Sequence, residues 1–600
     1  MSFMKEKNKM FMNNILCVIL SVFSSLSLCL KINKNYNISI NFFALFISVI
    51  ILYFCYQKNI FKSKKSFKIL SLILALFMIV GYSFKVNGNF TIIVHNILLL
   101  FISLIKLIGF YYLFLFSTNT IFEFINKYKF KSYSNKVYKF IFEKHPFILP
   151  FIIIIICYLP YIISFYPGIL SPDPSNQIKQ FFHIKTKYLD YSILLDPNVY
   201  ITNHHPVLHT VLLGGLAKVG DIIGSVNVGI FMYSIIQICT LVGTLSYTIY
   251  YMKKINTPSI IRVISLIIYS LVPVFPFYAM SVVKDVMFNC FVILFCIKIF
   301  DIIKDENLNF KNGFILVIIM LLVTMLRNNG IYAILFAMPF MIVFMKKIRK
   351  NCLFVTLITL TIYLSYAHIL LPALKITPGS IREVLSIPFQ QTARYVKYHE
   401  NELSDYDKGV IDKVLGIDDL ASRYNPLKAD PVKNAFNKYA SNDDLKDYFK
   451  VWFKGLVKHP NVYIEATLHN TYGYFYPNHS WYIYYKYDER LINDGINYHY
   501  NNLNGLRNIL SCYGVGFQYI PLLGYIVNIA FCNWIVLFVV FIVLKIKKYK
   551  YLIWLAPTIS LILVCFASPV NTYFRYAIGI VFQIPIIISM CYYLVNKNNE

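Results

Sequence analysis

The chain has 600 residues, of which 58% are hydrophobic, 17% aromatic and only 14% charged, with a net charge of +29. A soluble globular chain is about a quarter charged, and a transmembrane helix needs roughly 20 mostly apolar residues; such runs recur here from Phe11 to Cys591. A cytosolic enzyme, a collagen, a disordered chain and a disulfide-stapled secreted domain are excluded, and the composition is that of an all-α polytopic membrane protein.

Apolar runs at 11–31, 38–56, 67–85, 92–117, 147–166, 227–252, 258–279, 286–302, 313–326, 331–346, 352–371, 522–545, 551–567 and 575–596 predict about 14 transmembrane helices. The first has no A-x-A-like exit and reads as a retained span, not a signal peptide. With the N-terminus inside, alternate loops carry Lys58, Lys62, Lys64 and Lys65, then Lys127 to Lys139, Lys253 and Lys254, Lys346 to Lys350, and Lys545 to Lys550. That satisfies the positive-inside rule and puts both termini in the cytoplasm. It also explains much of the basic excess, so no nucleic-acid partner is expected. Eleven of the 12 cysteines lie in or beside apolar runs and no C-x-x-C occurs, which gives neither a disulfide framework nor a zinc ribbon.

Two long hydrophilic segments, 167–226 and 372–521, fall on the outer face with short turns near 279–285, 327–330 and 568–574. The chain holds nine arginines, and seven fall outside: Arg327, Arg382, Arg394, Arg423, Arg490, Arg507 and Arg575. Orientation predicts the opposite bias. Salt bridging in an external domain covers Arg423, Arg490 and Arg507, but not Arg327 and Arg575, which sit in turns at span ends. A guanidinium there suits a phosphate or carboxylate.

The first outer loop opens Tyr166-Pro-Gly-Ile-Leu-Ser-Pro-Asp173-Pro-Ser-Asn176-Gln177. An acid fixed between two prolines at a span end is placed to act as a base or ligand, and equally to cap a helix over 174–184. Asn203-His204-His205-Pro206-Val-Leu-His209-Thr210 reads as a helix start, whose free N–H groups attract anions. His205 and His209 share a face, yet H-x-x-x-H without an adjacent Glu is a weak metal signal; substrate contact and plain packing remain as alternatives. Lys284-Asp285 stands in the next outer turn, followed by Arg327-Asn328-Asn329-Gly330 and by Asn571-Thr-Tyr573-Phe-Arg575. Acids, basic groups and histidines thus converge on one face, and none sits mid-bilayer, where a transporter's ion relay would lie.

In this order and sidedness the motifs resemble the C-type (GT-C) superfamily of integral-membrane glycosyltransferases, and within it an uncharacterised bacterial branch with PGxLSPD, NHHPVLHT, KD and SIPFQQTAR segments. The last stands here as Ser386-Ile-Pro-Phe-Gln390-Gln391-Thr392-Ala-Arg394. The resemblance covers roughly 145–600. It implies a helical bundle that transfers a sugar from a polyprenyl-phosphate donor to a glycan, lipid or protein acceptor outside the membrane of a bacterial cell. Asp173 matches the first acid, His205-Pro206 the helix start, Asp285 the second acid and Arg575 the basic residue that meets the lipid phosphate. Asp173 and Asp285 are then the catalytic pair, with Asp173 as general base at a raised pKa. Asn176, Gln177, His204, His205, His209, Lys284, Arg327, Arg382, Gln391, Arg394 and Arg575 are the substrate-binding set. No metal ligands are assigned and no cofactor is certain; the early acid is a lone Asp, which leaves a divalent cation (Mg or Mn) open. The rival readings are a flippase or transporter of lipid-linked sugars, an envelope polysaccharide polymerase or ligase, and a silent scaffold.

Four regions follow: accessory spans at 1–144, a catalytic membrane core at 145–371 with its outer loop 167–226, a mainly helical outer domain at 372–521, and C-terminal spans at 522–600. In the outer domain, Leu445, Phe449, Trp452 and Leu456 make one stripe of a helix over 441–458, with lysines at 446, 450, 454 and 458 on another and a Ser441–Asp444 cap. That helix suits an anionic membrane surface or packing on its own domain. Nine aromatics between Tyr472 and Tyr487 suit a headgroup belt or a platform for sugar rings.

Overall fold

In a bilayer the backbone has no water to bond to, so long apolar runs close their hydrogen bonds internally as helices. The computed structural model describes residues 2–59, 64–128, 135–186, 189, 192–478, 480 and 490–597. Among these, eight helices are long and apolar enough to cross a membrane: Phe11–Cys29, Lys65–Val86, Ile97–Lys127, Val226–Lys254, Lys284–Asp305, Lys346–Ala373, Tyr549–Phe566 and Phe574–Asn596. Two bent pairs make ten: Lys136–Lys144 with Ile148–Ser164 at 104°, and Ser259–Leu271 with Val274–Met280 at 50°. Both breaks hold a proline, Pro146 and Pro273, which disfavours helix for the residue before it. Against the fourteen spans expected, length and composition support eight to ten. The other four fall on Phe42–Gln57, Phe310–Leu326, Gly330–Phe344 and Ile529–Lys545, apolar helices of 10–17 residues. The protein is an all-α polytopic membrane protein; the one small sheet described pairs Leu30–Ile32 with Ile38–Ile40.

Lys284–Asp305 is the central helix, packed against Val226–Lys254, Phe310–Leu326 and Phe574–Asn596. Its ends differ in chemistry. At the C-terminal end Asp301 pairs with Lys254 at 2.8 Å, and Glu306 with Lys347 and Lys550 at 2.9 and 3.0 Å. Asp173, Asp285, Arg327 and Arg575 gather at its N-terminal end, about 33 Å away at 1.5 Å per residue.

Segment 372–521, expected on the outer face and called the outer domain for that reason, has a core of its own, built from Phe389, Val396, Ile411, Leu420, Val432, Tyr448 and neighbours. Helix Asn442–Lys458 starts with the expected capping box, in which Ser441 and Asp444 each accept from the other's backbone N–H. Its buried stripe is Leu445, Tyr448, Val451 and Gly455, so the helix packs on its own domain. Tyr448 turns inward because its hydroxyl shares a hydrogen bond with Thr392 and donates to the Pro388 carbonyl; Phe449 is left at the edge. The lysine row is neutralised, Lys446 by Asp443, Lys450 by Asp447, Lys454 by Asp407 and Lys458 by Glu402.

The described part of the aromatic stretch is packing. Tyr472 and Phe475 join Phe84 in one buried cluster, and Tyr476 crosses helix Lys65–Val86 at Gly81, where an added Cβ would stand 2.2 Å from the Tyr476 Cβ. The N-terminal helices therefore dock on the rest of the chain. Trp481 to Tyr487 lie outside the described residues.

Candidate functional site

Backbone pairing brings the two acidic turns together. Ile169 donates its N–H to the Met280 carbonyl at 2.7 Å and accepts from Val282 at 2.9 Å, so the first outer loop lies along the turn before Asp285. One buried amide, Gln237 on Val226–Lys254, holds that turn by donating to the carbonyls of Tyr278, Ala279 and Ser281 at 3.1, 3.0 and 2.6 Å. From the other side Ser234 donates to Pro167 O and Tyr498 to Gly168 O, both at 2.9 Å. Gly168 has φ +147°, and a Cβ there would meet Ser234 Oγ at 2.5 Å, so this crossing needs glycine.

Asp173 and Asp285 each occupy the first turn of a helix, Pro172–Phe181 and Lys284–Asp305, where the dipole favours an anion. Arg575 lies between them: Nη2 is 2.6 Å from Asp173 Oδ2 and Nε 3.0 Å from Asp285 Oδ2. It too stands in a helical first turn, that of Phe574–Asn596, where the dipole disfavours a cation by about 0.3–1 kcal/mol; the two carboxylates offset that cost. Arg327, the C-cap of Phe310–Leu326, reaches Asp285 Oδ1 at 3.0 Å and lies over the rings of Phe288 and Tyr576. Asp285 is 0% exposed and Asp173 is 23% exposed, so one acid forms the floor and the other the mouth.

Lys284 donates to His205 Nδ1 at 2.9 Å, beside this cluster. Burial, with Lys284 second, pushes His205 well below its ordinary value, and burial pushes His204 down to about 4. Both imidazoles are neutral at pH 7. Burial alone would raise the Asp173 carboxyl, but the Arg575 guanidinium, His205 and Lys284 together outweigh burial and hold it well below the usual carboxylate range. The raised value expected for Asp173 is therefore corrected. The sequence shows its acidic neighbour, while the guanidinium that decides the direction comes from 402 residues away.

The other sequence-chosen residues divide. His204 lies 3.9 Å from Glu383, which also holds Lys433 at 2.8 Å and Arg382 at 3.4 Å, a charged rim next to His205. Gln177 and His209 are wholly interior. His209 Nδ1 meets Gln177 Oε1 at 3.0 Å, its Nε2 meets the Tyr233 hydroxyl at 2.7 Å, and Gln177 donates to Thr210 at 2.8 Å. Asn176 donates to Pro172 O at 2.7 Å inside its own helix turn. These three brace the Asp173 helix. His205 and His209 aim at different partners and form no metal pair. The helix start lies one residue later than expected, at Val207, with Pro206 as its N-cap.

Arg394 and Gln391 sit within the outer domain. Arg394 pairs with Glu465 at 2.5 Å and donates to Tyr424 at 3.1 Å; Gln391 donates to Thr467 and accepts from the Trp452 indole, both at 3.0 Å. Arg423 forms the expected salt bridge, to Asp419 at 2.7 Å, and donates to the Leu415 and Gly416 carbonyls; Arg507 donates to the Ser164 and Asn501 carbonyls and to Asn501 Oδ1. The outer domain nevertheless reaches the site, because it holds the turn that carries Arg575. Ala429 donates to Pro569 O at 2.7 Å, Asn470 to Ser568 O at 2.9 Å, and Tyr474 to Val570 O at 2.8 Å. Gly473 meets Thr572 so closely that a Cβ would lie 1.7 Å from its Oγ1.

Sequence reasoning missed Gln237, Tyr233, Glu383 and Lys433. Gln237 and Tyr233 lie four apart on an apolar span, which is a visible signal; Glu383 and Lys433 give none before folding. The chain belongs to a family described as "Family of unknown function (DUF6020)", whose model matches residues 7–599 and so takes in the N-terminal helices. No curated protein and no solved structure matches the chain.

Proposed function

We propose that this protein is a membrane glycosyltransferase that moves a sugar from a polyprenyl-phosphate donor to an acceptor hydroxyl on the extracytoplasmic face. The observation that carries the reading is Arg575, a buried guanidinium bridging two carboxylates at the ends of three helices. Asp173 at the mouth takes the proton from the acceptor hydroxyl as its oxygen bonds to the anomeric carbon. The bond from that carbon to the phosphate oxygen breaks, and the polyprenyl phosphate leaves with the added charge. Arg575, Lys284 and Arg327 stabilise that charge in a low-dielectric setting, where such contacts count most.

Arg575 gives this scheme an order of events. While it holds Asp173, the carboxylate is ionised but a poor base. A donor phosphate that draws Arg575 away raises the basicity of Asp173 only once substrate is present. Asp285, buried between Arg327 and Arg575, orients the guanidinium. The charges of this cluster lie at helix ends, not at mid-span, which favours transfer chemistry over a flippase. The lysines at the opposite end of the central helix support cytoplasmic termini and an outward-facing site.

The test is release of labelled sugar from a panel of polyprenyl-phosphate sugars by the purified protein in lipid. Consumption of at least one donor, lost in Asp173→Asn, is the expected result. No consumption, with labelled lipid crossing between leaflets instead, would contradict it.

A further inference from the structure

Away from the buried charges, on the outer domain, three side chains from separate elements converge. His399 ends helix Ser386–His399, Glu402 ends the short turn Glu400–Glu402, and His459 joins helices Asn442–Lys458 and Pro460–Thr471. His399 Nδ1 lies 2.8 Å from Glu402 Oε1 and His459 Nε2 lies 2.9 Å from Glu402 Oε2. The two rings stack with centroids 3.9 Å apart, and one ligand atom from each residue fits within 4.8 Å of the others. Lys458 Nζ also reaches Glu402, at 2.7 Å.

A half-exposed carboxylate has water available and does not need two imidazoles and an ammonium. Fixing four side chains around it costs rotamer entropy that exposed pairs return poorly. A metal ion explains the convergence better. With Zn–N of 2.0–2.1 Å and Zn–O of 2.0–2.2 Å, a tetrahedral edge is about 3.3–3.4 Å. Opening each N···O contact by roughly half an ångström, with the two stacked rings splaying apart to turn both nitrogens inward, would admit the ion. Two imidazoles and one carboxylate form a zinc-type donor set, and suit magnesium or calcium less well.

The structure assigns to His399, Glu402 and His459 a binding site for a zinc-class divalent cation, with water in the fourth position and Lys458 as the cation it displaces. The Lys458 side chain is 48% exposed, so it can turn to solvent when the ion arrives. The ion would tie helix Ser386–His399 to helix Pro460–Thr471. Those two helices carry the Arg394–Glu465 and Gln391–Thr467 contacts, and the second carries Asn470, which holds the Arg575 turn. The site is thus a clamp on the outer domain that takes no direct part in the transfer chemistry.

The experiment titrates cobalt, followed by its visible absorption, into the full chain in lipid without a polyhistidine tag, with zinc as competitor. One ion per chain is expected, displaced by zinc. His459→Ala should weaken binding by about 100-fold or more, since even outer-shell changes at metal sites cost 10–100-fold. Lys458→Ala keeps all three ligands and should bind more tightly than wild type. Absence of cobalt binding, equal affinity in His459→Ala, or weaker binding in Lys458→Ala would overturn the assignment. Should His459→Ala fail to fold, the Lys458→Ala arm decides.

Discussion

The outer helix Asn442–Lys458 and the cluster around Arg575 use similar side chains to opposite effect. On the helix, Lys446–Asp443 and Lys450–Asp447 are three residues apart, with side chains 41–86% exposed. Around Arg575 the pairs come from four distant stretches of chain, and no arginine or Asp285 side chain there is more than 9% exposed. Exposed pairs contribute about 0.3–0.5 kcal/mol each. Breaking a buried pair by removing one partner costs about 3–5 kcal/mol, because a charge is left uncompensated. The buried set is an expensive way to hold helices together, and a site that handles charge gives a reason for it.

The comparison can be broken most sharply at its centre. Arg575→Ala should destabilise the protein by about 3–5 kcal/mol, read as a lowered thermal midpoint in lipid; a loss under ~1 kcal/mol would show that the carboxylates find other partners. The same pair has a pH signature. Asp173 has a depressed carboxyl in the folded state, so its contribution is present above the unfolded value near 3.9 and is lost as pH falls through the folded value. Acid unfolding curves should show this loss in wild type, and Asp173→Asn should lack that component.

Gly473→Ala should cost about 1–3 kcal/mol by overpacking against Thr572 and lower transfer by displacing the Arg575 turn; unchanged activity would separate the outer domain from the site. Ser441→Ala should cost about 1 kcal/mol from the lost cap and leave transfer intact. Lys450→Ala marks the other limit, an exposed pair whose loss should leave the midpoint unchanged in the same measurement.

Local chemistry was legible in the sequence and convergence was not. The Ser441–Asp444 box needs only residues three apart, and both of its hydrogen bonds are present. The prolines at 146 and 273 sit where two spans bend. The stripe expected for that helix left out Tyr448, whose hydroxyl finds Thr392 and Pro388 as partners and so lets its ring bury. Arg327 and Arg575 stood out as arginines in outer turns, and both sit on Asp285. What no spacing could show was which cation meets which acid: Arg575 on Asp173, Lys433 on Glu383, and His459 beside His399 across some sixty residues. Those pairings set the protonation of Asp173 and corrected the raised value expected for it.

The most direct test places Asp173→Asn and Lys450→Ala beside wild type and follows consumption of a labelled polyprenyl-phosphate sugar, with donor-lipid binding measured on the same preparations. The account predicts that all three bind the lipid, that Lys450→Ala turns over like wild type, and that Asp173→Asn does not turn over. Wild-type turnover in Asp173→Asn would remove the base from the mechanism and, with it, the central claim about this site.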